Sequence, residues 1–358
     1  MKCTLFAWES HLFGVYRTLL ALAVLFQHLA DIPLIGHFAV YGFFVLSGYL
    51  MTTIMHQTYG YTTRGRLAYF LNRFLRLFPT YWIICLLTLG LIVLQGEPLT
   101  RSYHDAIYVP TRGVDILANL SLIFPALSPK WVEPRLAPPT WALTLELIHY
   151  VLIALGVSRS RRITWLWLAV AASYFAATYA LGLGHESRYS YLPAASLPFS
   201  IGALLFHYRD ATREFVARIP GHPLVWLLAV VPLALTAQLD HRAYIEPLFF
   251  MNMALHALII AKLRDWPRGG WLGQSDKRIG DLSYPMYLGH YLAGLSVSLV
   301  LWGAPVHGAT PQGVISALVA AVVVSCLAYA INVTVDRNIE RARQALKKRA
   351  RPIAPASA

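Results

Sequence analysis

Residues 15–36 read VYRTLLALAVLFQHLADIPLIG, and this stretch decides the fold. It is long and apolar enough to cross a bilayer as a helix, yet it carries Arg17 and His28. Eleven residues at about 100° each return to within about 20° of the starting direction, so both side chains project from one face, roughly 16 Å apart along the axis. Ionisable groups in a membrane helix are costly and turn toward a polar interior. The plain alternative is a snorkelling arginine and a hydrogen-bonded packing histidine. The expected fold class is therefore all-α, a polytopic membrane helix bundle.

The rest of the chain supports that class. Of its residues 57% are hydrophobic and 13% charged, against about a quarter charged in soluble domains. Ten spans can be drawn, at 12–34, 37–57, 77–95, 139–157, 163–183, 192–208, 223–239, 245–263, 282–303 and 312–335, with a basic tail over 336–358. The proposed organisation is thus one transmembrane domain over 1–335 followed by a cytoplasmic tail. The net charge of +13 would suit nucleic acid, but the basic residues cluster between apolar runs, as membrane topology requires. No nucleic-acid partner is expected; membrane lipid is. Ten crossings put both termini on one side. If that side is cytoplasmic, the outside segments hold six cations, Arg101, Arg112, Lys130, Arg135, Arg188 and Arg242. The inside segments hold the others apart from Arg17, beginning with Lys2 and including Arg268, so the orientation follows from the positive-inside rule. The first span is too long, and too charged at Arg17, for a cleavable signal peptide. Cys3, Cys85 and Cys326 lack metal-ligand spacing, and no metal is expected.

Residues 96–138 form a long outer loop with a semi-apolar stretch, ILANLSLIFPAL (116–127). Twelve residues is too short to span, so it reads as a helix lying on the bilayer or re-entering the protein. The tail reads as a basic helix anchored on anionic cytoplasmic lipid.

Chemistry-bearing residues recur inside the spans. HFAVYGFFVLSGYLMT places Ser47 and Gly48 mid-helix, where small residues permit close helix approach. Arg73 and Arg76 lie one turn apart before LFPTYW, able to grip a phosphate-bearing ligand or simply to anchor the inner rim. In PPTWALTLELIHYVL, Glu146 sits roughly 10 Å below the outer edge of its span, at a depth like that of His28. A buried carboxylate beside a buried imidazole orients it and sets its proton affinity. His149 and His290, taken singly, read as packing histidines. His11, His37, His56, His207 and His222 lie near span ends and suggest no specific role.

Taken in order, Arg17-x10-His28, FFVLSGYL, Arg73-x-x-Arg76 with LFPTYW, TWALTLELIHY and SYPMYLGH resemble the acyltransferase-3 family over about residues 12–335. The resemblance implies a bacterial inner-membrane enzyme that moves an acyl group, commonly acetyl, from cytoplasmic acyl-CoA to a glycan or lipid-linked sugar. The sequence departs from the family pattern at Tyr41, Asn72, Leu147 and His149, where the family usually carries Asp, Arg, a second carboxylate and an aromatic residue. Acyl transfer needs a base and a group to hold it, so the expected catalytic residues are His28 as general base or transient acyl carrier, Glu146 to orient it or stabilise its protonated form, and Arg17 to contact the donor. The resemblance implies binding of the coenzyme A phosphates by Arg73 and Arg76, and Ser47 and His290 are expected on the donor side as well. The competing reading is a transporter whose path is lined by Arg17, His28 and Glu146; the absence of an internal repeat weighs against it.

Overall fold

The computed structural model describes residues 12–239, 241–266 and 270–350; Lys2, Cys3, His11, Arg268 and Arg351 lie outside them. Within the described residues every regular element is helical. In chain order these are α1 (Phe13–Ala30), α2 (Ile35–Ile54), α3 (Thr63–Gln95), α4 (Glu97–Tyr103), α5 (Gly113–Ser121), α6 (Thr140–Leu155), α7 (Arg161–Ala180) and α8 (His185–Tyr189). There follow α9 (Ser196–His207), α10 (Arg209–Arg218), α11 (Val230–Leu239), α12 (His241–Arg264), α13 (Gly270–Trp302), α14 (Pro311–Ile331) and α15 (Arg337–Ala350). Each of the ten expected spans falls on one of these helices. Six helical segments are long and apolar enough to cross a membrane by themselves, and shorter apolar helices, α6 and α9 among them, accompany these.

The bundle is built around α1 and α2. α1 packs against α13, α2 and α14, and α2 packs against α9, α12 and α6. Close crossings make this possible. A Cβ on Gly48 would sit 2.1 Å from the Phe199 carbonyl oxygen, and one on Gly202 would sit 2.0 Å from that of Val45. The α2–α9 contact therefore brings backbone against backbone, the geometry that small residues allow between membrane helices. The outward faces carry Leu86, Val93 and Leu94 of α3, Leu166 and Val170 of α7, and Leu318 and Val322 of α14, all exposed. A lipid-facing surface demands this pattern.

Two local features bear on the sequence expectation, the first departing from it and the second choosing between its alternatives. α1 ends at Ala30 rather than near residue 34: Asp31 adopts a left-handed conformation (φ 50°) and its N–H caps the Phe26 carbonyl, with Pro33 following. The outer loop, in turn, re-enters. The Tyr81 hydroxyl donates to the Asn119 carbonyl at 2.6 Å, and the Trp82 indole N–H donates to that of Leu120 at 3.0 Å. Tyr81 lies fourteen residues before the end of α3, so the C-terminal end of α5 reaches about 21 Å along that helix. Side chains of α3 satisfy the carbonyls that the short helix leaves open, as burial in an apolar layer requires. Val114, Leu117 and Leu120 remain on its exposed side.

Candidate active site

The position of Arg17 is set at the start of α1. The Asp276 carboxylate of α13 accepts from the backbone N–H groups of Gly14 at 3.0 Å and Val15 at 2.7 Å, two of the donors that a helix start leaves unpaired. The Thr18 hydroxyl adds a bond to the Ile279 carbonyl at 2.9 Å. This clamp fixes the rotation of α1, so Arg17 points into a cavity that Ser47, Arg73, Arg76, Glu146 and Tyr150 also line. Nε of Arg17 and Nε of Arg73 are buried there without a hydrogen-bond partner. Arg76 pairs with Asp281 at 3.4 Å. The Arg73 Nη2 donates to Asn72 Oδ1 at 2.9 Å.

Glu146 belongs to this inner cavity and has no bond to His28. Its Oε1 accepts from the Ser47 hydroxyl at 2.5 Å and from the Tyr150 hydroxyl one turn along its own helix. The expected pairing of Glu146 with His28 fails for a geometric reason. Because α1 stops at Ala30, His28 is two residues from its helix end, whereas Glu146 lies six residues inside α6. The two side chains open onto different cavities.

The partner of His28 is His290, which the sequence had placed with the donor. His28 Nδ1 and His290 Nε2 are 2.9 Å apart, and His290 Nδ1 lies 2.9 Å from the Tyr287 carbonyl. A carbonyl oxygen can only accept, so in the neutral ring His290 Nδ1 carries the proton and Nε2 offers its lone pair. His28 must then donate through Nδ1. Its own Nε2 is left as an unprotonated base. Tyr291 stacks against His28 with ring centroids 5.1 Å apart and holds the ring plane.

His28 lines two outer pockets. One includes Asp31, Tyr103, His104, Tyr291 and His307. The other includes His37, Lys130, Trp141, Tyr189 and Tyr287. Tyr287 and Val40 line both this second pocket and the inner cavity, so they form the wall between the Arg17 side and the His28 side. His104 in the outer loop accepts the Ala106 N–H through Nδ1 at 3.1 Å; burial, then Arg135, lowers its pKa to about 4. It meets the first of these pockets as a neutral imidazole.

The constellation is a clamped arginine, a second arginine pair and an imidazole with a free base nitrogen, set across a shared wall. The family model for the acyltransferase-3 domain matches residues 9–330, nearly the whole chain. The chain belongs to that family. A comparison with curated proteins found no match, and neither did a comparison with solved structures. Membership makes the protein a membrane acyltransferase. In this acyltransferase-3 chain, His149 is fully occupied by packing: Nδ1 bonds the Leu145 carbonyl at 2.7 Å, Nε2 bonds the Ser196 hydroxyl at 3.0 Å, and the ring stacks on Phe199. His37, read as unspecific, stacks on Tyr189 at 4.2 Å beside His28. His104, His307 and Asp276 were not legible as site residues, since each depends on contacts between distant segments, whereas Tyr150 lies one turn from Glu146 on the same helix. The SYPMYLGH stretch already held the clue to His290, whose Nδ1 bonds its own helix and so turns Nε2 outward.

Proposed function

We propose that this protein transfers an acyl group, acetyl by preference, from a coenzyme A thioester at the inner cavity to a hydroxyl of an exported or lipid-linked glycan on the outer side. The carrying observation is the hydrogen-bond chain Tyr287 carbonyl–His290–His28, which leaves His28 Nε2 as a base at the wall of the outer pockets. The acceptor hydroxyl gives its proton to that nitrogen as its oxygen attacks the thioester carbonyl. The carbon–sulfur bond breaks, a carbon–oxygen bond forms, and the leaving thiolate takes the proton from the imidazolium. His290 keeps the base in its productive tautomer.

The inner cavity suits the donor. Arg17 and Arg73 carry buried guanidinium nitrogens without partners, which supports binding of an anionic or carbonyl-bearing ligand. Arg76 adds a third positive charge at the same mouth. Glu146, held by Ser47 and Tyr150, serves as the local counter-charge that offsets the repulsion among these arginines, rather than as the orienter of His28. The aromatic residues of the outer pocket, Trp141, Tyr189 and Tyr287, suit a sugar ring. The positive-inside distribution supports an orientation with both termini in the cytoplasm, and the family resemblance supports a bacterial inner membrane.

The test is thioester-dependent acylation of envelope glycans in membrane vesicles. A His28→Ala protein that reaches the membrane should lose about 10²–10⁴ in transfer rate. Full activity in that variant would sink the assignment, and sugar flux without release of free thiol would point to transport instead.

A further inference from the structure

The basic tail does not simply face lipid. α15 folds back on the cytoplasmic half of α3, and Arg343 is buried against it. The Arg343 Nη1 donates to Glu340 at 2.5 Å and its Nη2 reaches Asn72 Oδ1 at 3.5 Å. Asn72 Nδ2 returns a bond to the Arg343 carbonyl at 3.4 Å. The same Asn72 Oδ1 accepts from Arg73 Nη2 at 2.9 Å. Two guanidinium groups therefore converge on one uncharged oxygen, which neutralises neither. Nε of Arg343 and Nε of Arg73 are both buried without a hydrogen-bond partner. The Nε–Nη2 edge of Arg343, held by one long bond, is the edge a phosphate grips bidentately. Burial first, then the charges of Arg76 and Arg73, pull the Arg343 pKa down to about 10, the crowding of like charges that an anion relieves.

We propose that Arg343 is a donor-binding residue: with Arg73 it holds the phosphate-bearing end of the thioester donor, and α15 forms the inner lip of that site. The inference rests on the donor reading above. α15 lies beyond the residues that match the family, so this contribution belongs to the chain's own tail. Asn72 supplies the neutral hinge on which the tail guanidinium is mounted.

The experiment is a titration of coenzyme A and of pantetheine, which lacks the nucleotide phosphates, onto the full chain in nanodiscs of phosphatidylcholine. The native chain should bind coenzyme A, and Arg343→Ala should weaken that binding about 10- to 100-fold while leaving pantetheine affinity unchanged. Arg343→Lys, which keeps the charge but loses the fork, should also weaken it, and it decides the matter if the alanine variant does not fold. Unchanged coenzyme A affinity in these variants overturns the role of Arg343 while leaving the donor reading intact. Equal losses for both ligands reduce Arg343 to a structural role and also overturn it. Failure of the native chain to bind coenzyme A removes the donor reading itself. A repeat with phosphatidylglycerol covers the lipid headgroup as a source of phosphate: if that lipid protects α15 from hydrogen exchange in the native chain and coenzyme A does not, the inference fails.

Discussion

In the proposed reaction a single nitrogen carries the chemistry. His28 Nε2 is a base because His290 Nε2 must accept, and His290 Nε2 must accept because its other nitrogen faces the Tyr287 carbonyl. Replacing His290 by leucine leaves His28 Nδ1 without its acceptor and frees the ring to change tautomer. A buried donor left unpaired costs about 1–3 kcal/mol, so the transfer rate of His290→Leu should fall by about 5- to 150-fold. The acid limb of the pH–rate profile should move as well, since His290 no longer tunes the base. A fall in rate with an unmoved profile would leave His290 as packing alone. The sequence offered Glu146 for this role by depth, and nothing local contradicts that choice. The true partner depended on where α1 ends, and a left-handed residue at Asp31 moved His28 to the helix terminus.

At the scale of elements, the site exists because helices cross closely. The α2–α9 crossing puts Gly48 against Phe199 and Gly202 against Val45, and the same helix carries Ser47 to Glu146. A Gly48→Leu substitution forces these backbones apart. Overpacking costs about 1–3 kcal/mol, so the unfolding midpoint in detergent should drop, together with transfer activity. An unchanged midpoint would mean that the crossing is looser than its backbone contacts indicate. The Ser47–Gly48 pair was readable as a close-packing signal. Its partner helix was not, because small residues mark a contact without naming who makes it. The outer loop followed the same rule: its apolar stretch is too short to span, which called for surface or re-entry, and the hydrogen bonds from Tyr81 and Trp82 decided for re-entry.

Across the whole molecule, two half-sites face opposite ends of one bundle. The Arg17 cavity opens among Arg73 and Arg76, while the His28 pockets open among the outer-loop residues Tyr103, His104 and Lys130. The proposed reaction is accordingly sided. In sealed vesicles of known orientation, acyl-CoA supplied on the side of the chain termini should support acylation of an acceptor confined to the other side, and the reversed arrangement should not. Equal rates from either side would break the link between this architecture and a transfer across the membrane.

The amino-acid sequence by itself determined the helical membrane class, the positions of ten apolar helices and the family. Hydrocarbon admits no unpaired backbone, so long apolar runs have few alternatives; helical periodicity puts Arg17 and His28 on one face, and the cost of ionisable groups in lipid turns that face inward. The tertiary structure decided who meets whom. His290 instead of Glu146 beside His28, Glu146 between Ser47 and Tyr150, and Arg343 folded onto Asn72 are contacts between residues that helix geometry places at compatible depths. Periodicity sets the face and the depth of a side chain; the helix ends, the glycine crossings and the returning tail set its neighbour.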